Sequence, residues 1–222
     1  MHDDEQIIRR AWRSLATSRR DERGPRVVRA GDDGLLDAVL ARHREPHRRY
    51  HTITHVAWVI RTIDELVAVV PVPSLAIVHL AAIYHDAVYD PRAADNEARS
   101  ADLAHVVGDE LGWPVRDRDE VARLILATAS HEVEPDDVAG AVLLDADLAV
   151  LGAEPAAYRA YATGVRVEYA HIDDATWSAG RAAVLRAFLE RDHIFATAPM
   201  RAEREHRARA NLTAEIAGLR AP

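Results

Sequence analysis

The composition of the chain limits the kind of protein that it encodes. It has 222 residues, of which 49% are hydrophobic, and no cysteine. This allows one domain with a sizeable core and excludes disulfides and thiolate chemistry. The net charge is −8, which argues against bulk binding of nucleic acid, since that requires neutralisation of phosphates. No signal segment and no apolar run of roughly 18 residues is found, so we expect a cytoplasmic protein without a membrane span.

The periodicity of apolar residues predicts an all-α protein. No segment alternates with the period of two that is typical of a strand, and helical spacing recurs along the chain. Proline, glycine and capping residues divide it into predicted helices near residues 5–16, 35–44, 55–70, 75–88, 96–111, 117–130, 141–151, 155–170, 174–195 and 199–219. Thr54 and Asp95 are predicted helix caps, and Ser18–Gly34 is predicted to be a loose connection.

Two aspartates lie in the middle of the almost wholly apolar stretch from Ala141 to Leu151. A buried carboxylate without a partner is costly, so Asp145 and Asp147 each need a cation, an arginine or a metal ion. The common alternative is that such an aspartate caps or hydrogen-bonds nearby backbone. Residues two apart on a helix point roughly 200° apart, so we expect one metal ion to bind only one of the two.

Histidines occur in two further segments that carry candidate chemistry. His85 and Asp86 are adjacent at the end of an apolar helix, and this pair is harder to explain by packing than His79, which we interpret as a satisfied core residue. His51 and His55 are four residues apart, and two helical histidines at this spacing share one face, as in two-histidine metal sites. The alternative, which we favour for His51, is a capping or supporting role in the lead-in to the helix.

Four motifs follow one another along the chain: Tyr50-His51-x-x-x-His55-Val56, Tyr84-His85-Asp86-Ala87-Val88-Tyr89, Asp95-Asn96-Glu97-x-Arg99-Ser100 and Leu144-Asp145-Ala146-Asp147-Leu148. Together they resemble the HD superfamily of metal-dependent phosphohydrolases, and in particular one bacterial subgroup of unassigned substrate. The resemblance extends from about Pro46 to Asn211. It implies a single all-α HD-type domain over residues 1–222, with a core at about 46–151 and a helical C-terminal extension at about 152–222.

The resemblance implies that His55, His85, Asp86 and Asp147 are the metal ligands. Two imidazoles and two carboxylates suit a divalent ion such as Mn, Fe, Mg, Co, Ni or Zn, and about two coordination positions would be left for water and a substrate oxygen. The implied reaction is hydrolysis of a phosphate ester by metal-activated water. The expected substrate is a nucleotide or another small phosphorylated metabolite.

Further residues are expected around these ligands. Asp86, Glu97 and His131 are the predicted catalytic residues. Glu97 would orient water or shuttle a proton, and His131 would contact phosphate, protonate the leaving group or bind a second metal ion. The predicted substrate-binding residues are His51, Arg99, Thr128, Arg166 and Arg181. The alternatives are favourable charges at helix ends for Glu97 and His131, and surface salt bridges for the arginines.

Two other functions remain open at this stage. An HD-fold di-iron oxygenase would need extra ligands, for which His51 and His131 are the obvious residues. A binding module that keeps the metal or a nucleotide without turnover is disfavoured because the ligand set is complete.

Overall fold

The apolar stretches fold into helices in the part of the chain that the structure, a computed structural model, describes, namely residues 2–17, 20–21, 24–25 and 33–219. The helices are α1 (His2–Thr17), α2 (Asp33–Arg42), α3 (Ile53–Val67), α4 (Leu75–Tyr84), α5 (Asn96–Glu110), α6 (Val115–Ala127), α7 (Val138–Leu148), α8 (Pro155–Glu168), α9 (Asp174–Glu190) and α10 (Ala198–Leu219). A 3₁₀ turn, Ala149–Gly152, follows α7 directly. The prediction of an all-α protein is confirmed.

One short strand pair departs from the prediction that the chain contains no strand. Strands β1 (Arg20–Asp21) and β2 (Gly24–Pro25) pair antiparallel. They lie within the segment that we expected to be a loose connection. Residues 33–34 of that segment already belong to α2, and its other residues lie outside the described part of the chain.

The start of α3 also differs from the prediction. The helix begins at Ile53, with Thr52 in the N-cap position, so the assignment of Thr54 as the cap is wrong. The hydroxyl of Thr54 instead donates to Oδ2 of Asp4, 3.1 Å away. The residue therefore ties α3 to α1 rather than satisfying the amides of its own helix.

Helix α4 ends before the predicted position near Val88. Its last residue is Tyr84, and His85 is the C-cap. Beyond it, the hydroxyl of Ser100 in α5 accepts from the amide of Val88 at 2.9 Å and lies 3.3 Å from the carbonyl of the same residue. These contacts use backbone groups that a longer helix would need for its own ladder.

The packing of the helices places three of them around one point. Helices α4 and α7 are buried over most of their length, and both pack against α3, while α1 covers α3 and α4. The hairpin of α5 and α6 packs against α4, and α8 and α10 pack against the 3₁₀ turn. Within the described residues, no helix combines the length and apolar character that crossing a bilayer requires.

Candidate metal centre

The four predicted ligands meet where α3, α4 and α7 converge. His55 lies in the first turn of α3, His85 and Asp86 follow α4, and Asp147 lies near the end of α7. The Nε2 atoms of the two histidines are 3.1 Å apart. Asp147 Oδ1 lies 3.2 Å and 3.5 Å from them, and Asp86 Oδ2 lies 3.4 Å and 3.1 Å from them. We call these four residues the metal cluster.

The donor set fits a metal ion. Nδ1 of His85 lies 2.9 Å from the carbonyl oxygen of Ala82. A carbonyl only accepts, so Nδ1 holds the proton and Nε2 can offer a lone pair to a cation. A backbone carbonyl bound to the far nitrogen is typical of metal-ligating histidines. Donor atoms of His55, His85 and Asp147 all lie within 4.8 Å of one another, which is a geometry that can hold a cation.

The charges of the cluster balance one another. Burial alone would raise the pKa of Asp86 and of Asp147, but the neighbouring histidines hold both pKa values well below the usual range. Conversely, burial would lower the pKa of His85, but the two carboxylates raise it well above its ordinary value. A bound cation would take the place of the histidine protons as the partner of these carboxylates.

Asp145, two residues before Asp147, points away from the metal cluster, as helix geometry predicted. Its side chain is buried, and its two oxygens accept from the amides of Ala196 at 2.6 Å and Thr197 at 2.7 Å. The alternative of hydrogen bonding to backbone therefore applies to Asp145, whereas Asp147 joins the cluster. The partner is the backbone just before α10, rather than a cation, an arginine or a metal ion.

His131 reaches the metal cluster from the segment after α6. Its Nε2 lies 3.1 Å from Asp147 Oδ2, and its φ of 50° places it in the left-handed region. That conformation costs a residue other than glycine about 1–2 kcal/mol. Arg191 donates to its carbonyl at 2.7 Å, and the ring of Phe188 packs edge-on against the imidazole. These contacts oppose the strain and keep His131 beside Asp147; its predicted catalytic role stays a prediction.

His51 lies two residues before α3, in the lead-in to the helix, and both of its predicted roles stay predictions. Its Nδ1 is 2.7 Å from Glu168 Oε2, and its ring centroid is 5.8 Å from that of His55. Glu168 was missed at the sequence level. One signal was present: Glu168 shares the helical spacing of Tyr161 and Val165, so it falls on the inward face of α8.

Arg48 was also missed, although it shapes the segment that carries Asp86. Its side chain is fully buried, and Nη1 donates to the carbonyls of Asp86 at 2.8 Å and His51 at 3.1 Å. The guanidinium thereby joins the segment after α4 to the segment before α3. Arg48 stands among three exposed arginines and one exposed histidine in residues 42–49, so its local sequence contains no signal of burial.

Glu97 and Arg99 lie outside the cluster itself. Glu97 is in the first turn of α5 and is partly exposed, and no hydrogen bond or ion pair among the described residues joins it to the cluster. Arg99 is exposed, stands 3.8 Å from Asp95 and lines a surface cleft of about 510 Å³. Glu168 forms part of the inner wall of that cleft. The roles assigned to Glu97 and Arg99 stay predictions.

In three residues predicted to bind substrate, the side-chain donors already bind other groups of the protein. The hydroxyl of Thr128 donates to the carbonyl of Ile125 at 2.6 Å. Arg166 donates to two backbone carbonyls and to a carboxylate at the start of α9. Arg181 pairs with Glu215, with Nε 2.8 Å from Oε1. For the two arginines, these contacts favour the alternative of salt bridges over an arginine-lined wall facing the substrate. The substrate-binding roles of all three residues stay predictions.

Comparisons with protein-family models, with curated proteins and with solved structures find no match. The resemblance to the HD superfamily therefore stays a prediction that rests on the four motifs. The all-α fold and the convergence of histidine and aspartate side chains rest on the structure itself.

Proposed function

We propose that this protein is a metal-dependent hydrolase of phosphate esters, acting on a nucleotide or another small phosphorylated metabolite. The observation that carries the proposal is the convergence of two imidazoles and two carboxylates, with His85 held by the Ala82 carbonyl so that Nε2 is free to bind a cation. A divalent ion held there would lower the pKa of a water molecule and polarise a phosphoryl oxygen.

The solvent exposure of the four cluster side chains indicates the side from which a substrate approaches. The side chains of His55 and His85 are 2% exposed, whereas those of Asp86 and Asp147 are 17% and 13% exposed. The cluster is therefore closed behind the imidazoles and open to solvent beside the carboxylates. We infer that a phosphate group enters on the carboxylate side.

The residues at that open side can hold or move a proton. The side chain of His131 is 25% exposed and its Nε2 lies 3.1 Å from Asp147 Oδ2. We assign it the role of hydrogen-bonding a phosphoryl oxygen or of protonating a leaving group. The chain contains no cysteine, so a thiolate nucleophile is excluded, and attack by water is the simplest chemistry for this site.

One observation favours a second candidate, a dinuclear centre of the kind that an oxygenase would use. The two oxygens of Asp147 face different groups, because Oδ1 lies near His55 and His85 while Oδ2 lies near His131. A carboxylate in this position can bridge two ions. Two iron ions per chain, with an iron-dependent absorbance band and no phosphate release, would favour this candidate over the hydrolase.

The proposed function is tested by removing all metal and restoring one divalent ion at a time. Turnover is measured as release of inorganic phosphate from a panel of phosphate monoesters, and as release of the alcohol product from a panel of phosphate diesters. Turnover should require an ion and stop with chelator. His85→Gln should lose both metal and turnover. His79→Gln is the matched control, because His79 is also buried in α4 but lies 3.0 Å from Asp64 and outside the cluster. Unchanged metal content in His85→Gln, or no turnover of any phosphate ester, would contradict the proposal.

A further inference from the structure

Glu168, the last residue of α8, is a buried carboxylate that faces five donor groups. Its side chain has no solvent exposure. Oε1 accepts from the amides of Arg49 at 2.6 Å, Tyr50 at 2.8 Å and His51 at 3.1 Å. Oε2 lies 2.7 Å from His51 Nδ1 and accepts from the hydroxyl of Tyr89 at 3.0 Å. Four of the five donors belong to residues 49–51, so this carboxylate mainly holds the segment that carries His51.

The charge of Glu168 determines which hydrogen bond it makes with His51. Burial would raise the pKa of Glu168, but His51 and the backbone amides lower it to about 2. The ionised carboxylate only accepts, so Nδ1 of His51 is the donor of their shared hydrogen bond. Nε2 is the nitrogen left for a ligand, and no hydrogen bond from the described residues reaches it.

The imidazole of His51 is fixed beside the metal cluster. Its ring centroid lies 5.8 Å from that of His55 and 4.2 Å from that of Tyr89. The side chain is 20% exposed, so a ligand bound at the open side of the cluster can reach the ring.

We propose that Glu168 is a positioning residue, which orients His51 and keeps Nδ1 as the donor so that Nε2 meets an oxygen of a phosphate group held at the metal cluster. This inference rests on the proposed function. A phosphate offers both hydroxyl and charged oxygens, so it can hydrogen-bond Nε2 in either protonation state of the ring. The C-terminal extension is then a working part of the site, since α8 supplies the residue that sets the geometry of His51.

The first test uses Glu168→Gln and measures binding of inorganic phosphate to the metal-loaded protein by calorimetry. The amide oxygen of glutamine can still accept from the backbone amides, but its NH₂ group would face Nδ1 and reverse the hydrogen bond to His51. We expect phosphate binding about tenfold weaker or more, because a neutral amide holds the imidazole in place less firmly than the charged carboxylate does, with unchanged metal content. Glu215→Gln is the matched control, because Glu215 is a largely buried carboxylate that binds Arg181 and does not contact His51.

A double-mutant cycle separates positioning from a merely structural role. If Glu168 acts through His51, Glu168→Gln should weaken phosphate binding in the native background and have no further effect in His51→Ala. An equal loss in both backgrounds, or loss of metal from Glu168→Gln, would contradict the inference and leave the proposed function intact. Absence of phosphate binding by the metal-loaded native protein would contradict both.

A spectroscopic measurement tests the positioning role of Glu168 without any ligand, and so separates failure of this inference from failure of the proposed function. The nitrogen chemical shifts of the His51 imidazole report which ring nitrogen carries the proton. In the zinc-loaded native protein Nδ1 should be the protonated nitrogen, and in Glu168→Gln the proton should move to Nε2. Identical imidazole shifts in the two proteins would contradict the positioning role, whatever the outcome of the activity assays.

Discussion

Two regions of the molecule build the candidate site in different ways. Helices α3, α4 and α7 pack against one another through their apolar faces, and this packing brings the residues of the metal cluster together. The C-terminal region contributes through long-range contacts made by individual residues. Glu168 accepts from the amide of Arg49, 119 residues earlier, and Arg191 donates to the carbonyl of His131, 60 residues earlier. Packing of buried side chains thus holds the central region of the site in position. In the C-terminal region, hydrogen bonds to exposed or irregular segments do so.

We expect the central helices and the C-terminal helices to have different roles at the site. We expect the central helices to determine whether a cation binds, because they position the four proposed donor groups. The C-terminal helices determine how the neighbouring histidines are held, because Glu168 orients His51 and Arg191 holds His131. Changes in the first region should therefore abolish metal binding, and changes in the second should leave the metal in place while altering stability and ligand binding.

The largest effect is expected from the pair of aspartates on α7. Asp147→Asn should weaken metal binding by more than about 100-fold, since even residues that only support a ligand cost about 10- to 100-fold. Asp145→Asn should keep the metal but lower the free energy of unfolding by about 1–3 kcal/mol, because an amide nitrogen cannot accept from the amide of Ala196 or Thr197. Metal titration and urea unfolding measure the two quantities. Retention of metal by Asp147→Asn together with its loss from Asp145→Asn would reverse the assignment.

The acid stability of the protein tests the C-terminal region without metal or ligand. The pKa of Glu168 is about 2 in the folded protein, against an ordinary value of 4.5. As the pH falls, the unfolded chain takes up this proton first. The contribution of Glu168, roughly 3 kcal/mol, is therefore fully present above pH 4.5 and is lost as the pH falls through 2.

Glu168→Gln should remove this dependence on pH. Its unfolding free energy should lie below that of the native protein at pH 6, and the gap should narrow by pH 3 and close near pH 2. Urea unfolding at these three pH values measures the gap. A gap that stays constant across the range would mean that the charge of Glu168 does not stabilise the fold.

The difference between the two regions also explains what the sequence could predict. The helices were predictable from the spacing of apolar residues. The set of four ligands was implied by the resemblance to the HD superfamily, and helix geometry added that Asp145 and Asp147 point in different directions. The partner of Asp145 was not predictable, since the amides that it binds lie 51 and 52 residues away in Ala196 and Thr197. Glu168 gave only a weak signal, because a single acid at a helix end is more often solvated.

The smallest effect is expected at His131, where backbone strain and side-chain function can be separated. His131→Ala and His131→Gly both remove the imidazole beside Asp147, but only glycine adopts the left-handed conformation without a steric penalty. We therefore expect His131→Gly to be more stable than His131→Ala by about 1 kcal/mol, since the relief of strain exceeds the greater chain entropy of glycine. Urea unfolding measures the difference.

Equal loss of turnover in both variants would assign the functional role to the imidazole, whereas turnover retained by His131→Gly alone would show that only the backbone conformation matters. If His131→Ala were the more stable variant, the left-handed backbone at this position would not be strained. The contacts of Arg191 and Phe188 would then have no strain to oppose.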